Sequence, residues 1–474
     1  MFSKLGFALI LLSVTSEAAD KLTPQVVASR LLQGSRQIQI IDQESKLNEL
    51  SLRQALGVLD LNIELNGNYQ ITQAENSRGL ANEQDTTKVY SIDVTKTFRS
   101  GTESTLGFER TNLRSILSSF FQSSSVPDDQ TIDIFTFELE QPLWNNSFGA
   151  SDRAAIRAGK YEYQKGKIEK LEGLETLVMD GLEKFWTAYV AQQTLKESIE
   201  ARERYRRLER TVRQKSQRGV TTPGELERVQ AELETQEQNV KLRSATFLDE
   251  LDVLYQMFQL PVPEEVVFAV DELLPALPPR PEIDPSSLRT VKVTELEKNQ
   301  MQEQYTKAKS DSLAEVNLVA SAVSTGLEEE ASAAFSEMTS FTRPTYYVGL
   351  RVSVALDSDL AEGTVANAGY QRKLAELRNL ENVDQVRNSL RSLEREVRAR
   401  YFVAESAIKR VQLRERALRR IDEAYRQGRF DISEVTDAYN NLFESQTDRL
   451  RAIGNYHIAR NRLAALRDEL IKEN

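Results

Sequence analysis

The chain of 474 residues contains no cysteine. Disulfides, thiolate metal sites and a lipid-bearing N-terminal cysteine are therefore excluded, and stability must come from packing or assembly. One histidine, His457, sits in a helical stretch without an obvious polar partner and reads as a packed or surface residue. With so few ligating or nucleophilic groups and no phosphate-binding glycine loop, the sequence lacks the clusters an active site requires, so no enzymatic activity, cofactor or metal is expected. No stretch after the N-terminus approaches the ~18–20 apolar residues of a membrane helix. A net charge of −11 argues against nucleic acid as a partner. Proline is scarce and concentrated: seven of twelve lie in the segment 260–285.

What is present is ordered. Lys4, an apolar run from Leu5 to Val14, and small residues Ser16, Ala18 and Ala19 read as a secretory signal over residues 1–19, cleaved after Ala18 or Ala19. A short helix near Pro24–Leu32 and a second from an N-cap at Ser35 to about Leu56 follow. The periodicity then changes to two. Leu59, Leu61, Ile63, Leu65, Tyr69 and Ile71 alternate with polar residues, as do Tyr90, Ile92, Val94 and Phe98. Ser100-Gly101 reads as a tight turn into a return strand with Leu106 and Phe108, and a fourth strand with Phe135, Phe137 and Leu139 follows a Ser-rich loop around Pro127-Asp128-Asp129.

A proline-free helix of about 65 residues, roughly 100 Å long, then runs over about 151–217, with an apolar seam at Leu171, Leu174, Val178, Leu182, Phe185 and Tyr189. Gly219 breaks it. Thr222, Pro223 and Glu225 have the spacing of a capping box that opens a return helix over about 223–258. The plan then repeats with a period of roughly 210 residues. The second copy has a helix near Ser286–Ser310, strands within 315–357, a long helix over about 362–427, a break at Gly428 and a return helix over about 432–470. The expected organisation is a signal peptide (1–19), a first repeat (20–259, strands within 59–142), a Pro-rich linker (260–285) and a second repeat (286–474).

Strands of ~10 residues with one apolar face match the wall of a transmembrane barrel, although a soluble antiparallel sheet alternates in the same way. The signal segment, and the lack of a helix with an apolar face broad enough to cover the strands, favour lipid. Aromatic residues at strand ends (Tyr69, Tyr90, Phe98, Trp144, Tyr346) suit interfacial girdles. Six strands are too few to close a barrel, which starts at about eight. Several copies are required, and three give 12 strands if the Tyr90–Arg110 hairpin stays outside, or 18 if it joins. The alternation of that hairpin favours its insertion.

Three stretches carry a family likeness: Leu139-Glu140-Gln141-Pro142-Leu143-Trp144 at a strand-to-helix junction, Gln217-Arg218-Gly219-Val220-Thr221-Thr222-Pro223-Gly224-Glu225-Leu226, and the run from Tyr425 to Leu442 that includes Gly428-Arg429-Phe430-Asp431. In these the chain resembles the TolC-type outer-membrane efflux family over nearly all of its mature length. The resemblance implies a mainly α fold with transmembrane β: duplicated strand–long helix–helix modules forming, as a homotrimer, an outer-membrane barrel continuous with a periplasmic α-helical barrel. It implies a passive channel in the outer membrane for efflux or type I secretion, docking to a periplasmic adaptor (membrane fusion) protein and an inner-membrane RND or ABC-type pump. By position, the family's entrance constriction falls on Tyr425, Glu434, Asp437 and, in the first repeat, Glu225, and its adaptor-docking tip on Gly219, Val220, Gly428 and Arg429. A basic tether of some members falls on Phe430, leaving adjacent Arg429 as the available cation. Three-fold copies of Glu434 and Asp437 would favour cations, while as single residues both are acids suited to a helix N-terminus. The alternative class is a periplasmic coiled-coil adaptor or structural protein without a membrane barrel.

Overall fold

The computed structural model describes residues 20–72, 82–117, 129–270 and 274–471. The proposed signal segment and the Ser-rich loop at Pro127-Asp128 lie outside them. In chain order the elements are β1 (Asp20–Leu22), α1 (Pro24–Gly34), α2 (Arg36–Leu56), β2 (Leu61–Thr72), β3 (Asn82–Thr97), β4 (Glu103–Leu117), β5 (Asp129–Pro142), α3 (Ala150–Gln217), α4 (Glu225–Phe258), β6 (Val266–Phe268), α5 (Arg289–Asp311), β7 (Glu315–Glu328), α6 (Ala331–Thr339), β8 (Thr345–Ser353), α7 (Asp359–Arg426) and α8 (Ile432–Leu466). The long helices α3 and α7 have 68 residues each. The chain forms two compact units, one of Ser45–Ile168 and Val291–Asn382, the other of Met1–Glu44, Glu169–Thr290 and Val383–Asn474.

The first unit carries a six-stranded antiparallel sheet in the order β2-β3-β4-β5-β7-β8. Its register aligns the alternating residues into rows. Ile63, Val94, Leu106, Phe137, Ala322 and Tyr346 stand opposite one another across all six strands. Leu65, Ile92, Phe108 and Phe135 form the next row on the same face. The opposite face carries Asn62, Thr95, Thr105, Glu138 and Ser321, with the Thr95 and Thr105 hydroxyls 3.3 Å apart. A one-residue slip would invert every strand, so the apolar pattern itself fixes the register.

Charged residues end the apolar rows: Lys96 opposite Leu61 at one end, Lys88 opposite Tyr69 at the other. The span from Leu61 to Tyr69 is about 26 Å along the strand. Arg110 and Asp133 meet on the same face through two hydrogen bonds of 2.7 and 2.6 Å, with Asp133 fully buried. Among the described residues, both sheet edges, β2 and β8, are paired on one side only.

The helix α6 was not expected, and with nine residues it covers one end of the apolar face only. It lies over the Phe108–Phe135 end, where Phe335 and Phe341 stack edge-on against those rings at 6.2 and 5.9 Å. Ser324 donates to the Met338 carbonyl at 2.7 Å, and Gly326 leaves room for the Ala334 carbonyl. The rest of the face stays open toward the β2 edge, with Leu65, in the same row as Phe108 and Phe135, 72% exposed.

Where the sheet passes into α3, Gly101 of the β3–β4 turn packs backbone to backbone against Gly149, so that a Cβ on either would lie within 2.6 Å of the other's amide nitrogen. Along α3, Gly159 and Gly166 receive Ala55 and Asn48 of α2 at distances only glycine tolerates.

The second unit is helical. Its main core gathers Val27 and Leu31 of α1, Phe185 and Trp186 of α3, Leu254 and Phe258 of α4, and Phe268 of β6. Gly173 and Gly181 continue the α3 stripe here, against Ile41 and Leu31. β1 and β6 form a two-stranded parallel sheet, an element absent from the sequence reading. Asp20 in β1 receives a bidentate pair from Arg30, both bonds 2.7 Å. His457 is packed: its ring stacks on Trp186 with centroids 3.6 Å apart. Ser35 caps α2, its hydroxyl accepting from the Ile38 amide at 3.2 Å.

Candidate functional site

The two turns that end the long helices are built alike. After α3, Gly219 (φ +70°) donates to the Ser216 carbonyl at 2.9 Å and Val220 to Lys215 at 3.1 Å. After α7, Gly428 (φ +72°) donates to Tyr425 at 3.0 Å and Arg429 to Ala424 at 2.9 Å. Both are Schellman closures, in which a left-handed residue satisfies the last carbonyls of the helix. Nothing lies within 4 Å of a Cβ built on either glycine, so backbone conformation and not space requires glycine there.

The capping box expected at Thr222 is half formed. Thr222-Pro223-Gly224-Glu225 is a type II turn, closed by the Glu225 amide on the Thr222 carbonyl at 3.2 Å, with Gly224 at φ +83°. The helix α4 consequently starts at Glu225 and not at Pro223. Glu225 still reaches back, its Oε2 accepting from the Thr222 amide at 3.1 Å and hydroxyl at 3.2 Å. Its other oxygen accepts from the Tyr425 hydroxyl at 2.7 Å. This side-chain bond joins the two turns.

Tyr425 is only 4% exposed and packs with Tyr205, Val212, Val229, Ile432 and Val435. Burial, and then the bond to Glu225, pushes its hydroxyl well above the ordinary tyrosine range, so it stays a neutral donor. Lys215 lies over its ring at 3.8 Å and donates to its carbonyl at 3.4 Å. Below it, the buried Tyr205 hydroxyl bonds Asn440 at 2.8 Å and the Thr436 carbonyl at 3.2 Å, tying α3 to α8.

Of the residues singled out in the sequence, Tyr425 and Glu225 are therefore brought together, as a buried latch. Glu434 and Asp437 lie one turn apart on α8, both exposed. Val220, Arg429 and Phe430 are exposed at the turns. Lys215, Tyr205 and Asn440 were missed, although a lysine in the last turn of a helix is a recognisable complement to its C-terminal carbonyls.

Removing the Tyr425 hydroxyl leaves Glu225 with one unpaired oxygen in a buried setting. Tyr425→Phe is expected to destabilise the paired turns by about 1–2 kcal/mol, read as faster amide exchange at Gly428 and Arg429. Unchanged exchange would show that the bond does not hold the turns.

No protein-family profile and no curated protein matches the sequence. Solved structures do. CusC, which folds to form a transmembrane channel, aligns at TM-score 0.72 with 11% identity, covering 96% of this chain and 95% of its own. The open state of the MtrE outer membrane channel of Neisseria gonorrhoeae aligns at TM-score 0.69 with 11% identity, covering 99% and 98%. The outer membrane protein VceC of Vibrio cholerae aligns at TM-score 0.67 with 12% identity, covering 94% and 95%. The likeness runs the length of every partner, and the chain has the fold of TolC-type outer-membrane channels.

Proposed function

We propose that the chain is the outer-membrane channel component of a tripartite efflux or type I secretion system, a passive trimeric exit duct. The observation that carries this reading is the open sheet: two unpaired edges, β2 and β8, flank apolar rows left exposed on most of one face. In a bilayer such edges must be satisfied by closure, and the neighbouring copies supply it. The β3–β4 hairpin pairs on both sides within the sheet, so three copies contribute 18 strands. At the usual spacing and tilt that barrel is about 36 Å across. The helices continue into the periplasm as the duct's wall. The two copies of the strand–helix–helix plan are the product of duplication, and residues 1–19 direct export.

In this reading the paired turns form the periplasmic tip, where Gly219, Val220, Gly428 and Arg429 meet the helices of an adaptor protein carrying an inner-membrane pump. The Tyr425–Glu225 latch holds each protomer's turns in place. Glu434 and Asp437, repeated three-fold, ring the entrance with negative charge and favour cations. Purified protein in planar bilayers is expected to give discrete conductance steps with cation preference, and Asp437→Ala to reduce the cation-to-anion permeability ratio about twofold or more. An unchanged ratio would remove the ring assignment. Absence of any conductance would overturn the duct.

A further inference from the structure

Although the chain as a whole is acidic, one seat in the helical unit is strongly basic. A cavity of about 90 Å³ is lined by Pro279 and Arg280 of the proline-rich segment, by Arg395 and Arg398 of α7, and by Arg467 beyond the end of α8. Its one acid, Glu394, is already committed on both oxygens. It accepts from Arg280 at 2.6 Å and from Arg467 at 3.0 Å. Arg395 and Arg398 lie one helical turn apart, exposed, and neither forms an ion pair or hydrogen bond among the described residues. Like charges at that spacing repel, and a helix surface gains nothing from holding them together without a counter-charge. The neighbouring acid Glu396 pairs instead with Arg400 at 3.4 Å.

The second observation lies deeper. The Arg467 side chain is only 2% exposed, held by Glu394 and by the Pro279 carbonyl at 3.1 Å, yet among the described residues its Nε has no hydrogen-bond partner. A buried guanidinium nitrogen without an acceptor is costly unless an acceptor arrives. The adjoining cavity beside Arg391 has acids of its own in Glu282 and Asp284, so the uncompensated charge is confined to the Arg395–Arg398 end.

We infer that this seat binds a phosphate-class oxyanion, clasped by the forks of Arg395 and Arg398 over the buried Arg467. The volume suits one such group, and guanidinium forks match its oxygens. The group is accepted either as the free ion or as the ester of a larger molecule. Because the two outer arginines are exposed, their removal leaves the packing of the unit intact.

The test is isothermal titration of the purified full chain with inorganic phosphate and, separately, with glycerol 3-phosphate, each against sodium acetate at matched ionic strength. Saturable phosphate binding is expected, weakened at least about tenfold in the Arg395→Ala/Arg398→Ala variant. Binding of phosphate alone identifies the free ion as the occupant. Binding of both shows that an ester-borne group enters. No saturable binding, an equal response to acetate, or undiminished affinity in the double variant would overturn the site. Unchanged bilayer conductance of that variant separates a failure here from a failure of the duct reading.

Discussion

Leu65→Arg is expected to prevent stable assembly in the outer membrane, whereas Asn66→Arg, one residue along the same strand, leaves it nearly intact. Leu65 stands at the middle of the apolar rows, four residues from both Leu61 and Tyr69, and opposite Ile92. Asn66 points to the other face, opposite Ser91, whose next neighbour across the sheet is Glu109. A cation on the lipid side of a barrel at mid-bilayer costs about 2–4 kcal/mol per chain, while the same charge in the lumen costs little. If the apolar rows instead packed against protein in a soluble sandwich, both variants would remain in the periplasmic fraction and require no detergent. Fractionation followed by denaturant titration of the membrane-inserted protein reads the difference. Equal behaviour of the two variants would show that lipid does not face the Leu65 side.

The second large effect is expected at Arg289, the first residue of α5. Its guanidinium, in a residue 6% exposed, pairs with Glu175 and lies 3.1 Å from both Glu172 and Asp468. Its amide donates to Asp468 at 2.9 Å, and the Leu470 amide to Glu175 at 3.1 Å. One cation thus joins α3, α5 and the segment after α8. Arg289→Ala leaves three carboxylates with oxygens within 4.8 Å of one another, so a loss of about 3–5 kcal/mol is expected.

The pH dependence gives this knot a signature. Burial, partly opposed by Arg289, raises Glu175 from 4.5 to about 7 and shifts Glu172 in the same direction. A carboxyl raised in the folded state binds more protons folded than unfolded, so its stabilising contribution is complete below pH 4.5 and is lost as pH rises through 7. Without Arg289 the opposing pull disappears and the acids rise further. The thermal midpoint of Arg289→Ala is therefore expected to fall below wild type more at pH 8 than at pH 5. A deficit independent of pH would mean that the arginine acts through packing alone.

Much of this architecture was legible because its elements are long and periodic. The alternation from Leu61 to Ile71 and around Tyr90–Val94 marks strands wherever they pair, and the seam through Leu174, Val178, Leu182 and Phe185 marks a packed helix. Gly219 and Gly428 end the long helices because both closures need a left-handed residue. Short elements were hidden. The pairing of Asp20–Leu22 with Val266–Phe268 spans three residues and has no alternation to show. The helix over Ala331–Thr339 sits among small residues, without a side-chain cap, between two strands. Pro223 and Glu225 read as a helix start until the conformation of Gly224 closes a turn first.

The site divides in the same way. Tyr425 and Glu225 were named through likeness to a family, but their bond joins residues 200 apart and left no local trace. The Arg289 knot was invisible for the same reason: its acids lie far along the chain and only the packed unit assembles them. The glycines of α3 at positions 159, 166, 173 and 181 recur almost by heptads and receive side chains of α1 and α2 at close range, a helix face the sequence reading did not pick out.

In the proposed duct, the open sheet of one chain is completed by other copies and sealed by lipid. The mass of the purified, detergent-solubilised protein, corrected for bound detergent by sedimentation, tests it most directly. A trimer that aggregates when detergent is withdrawn is expected. A stable, monodisperse monomer in detergent-free buffer would contradict it.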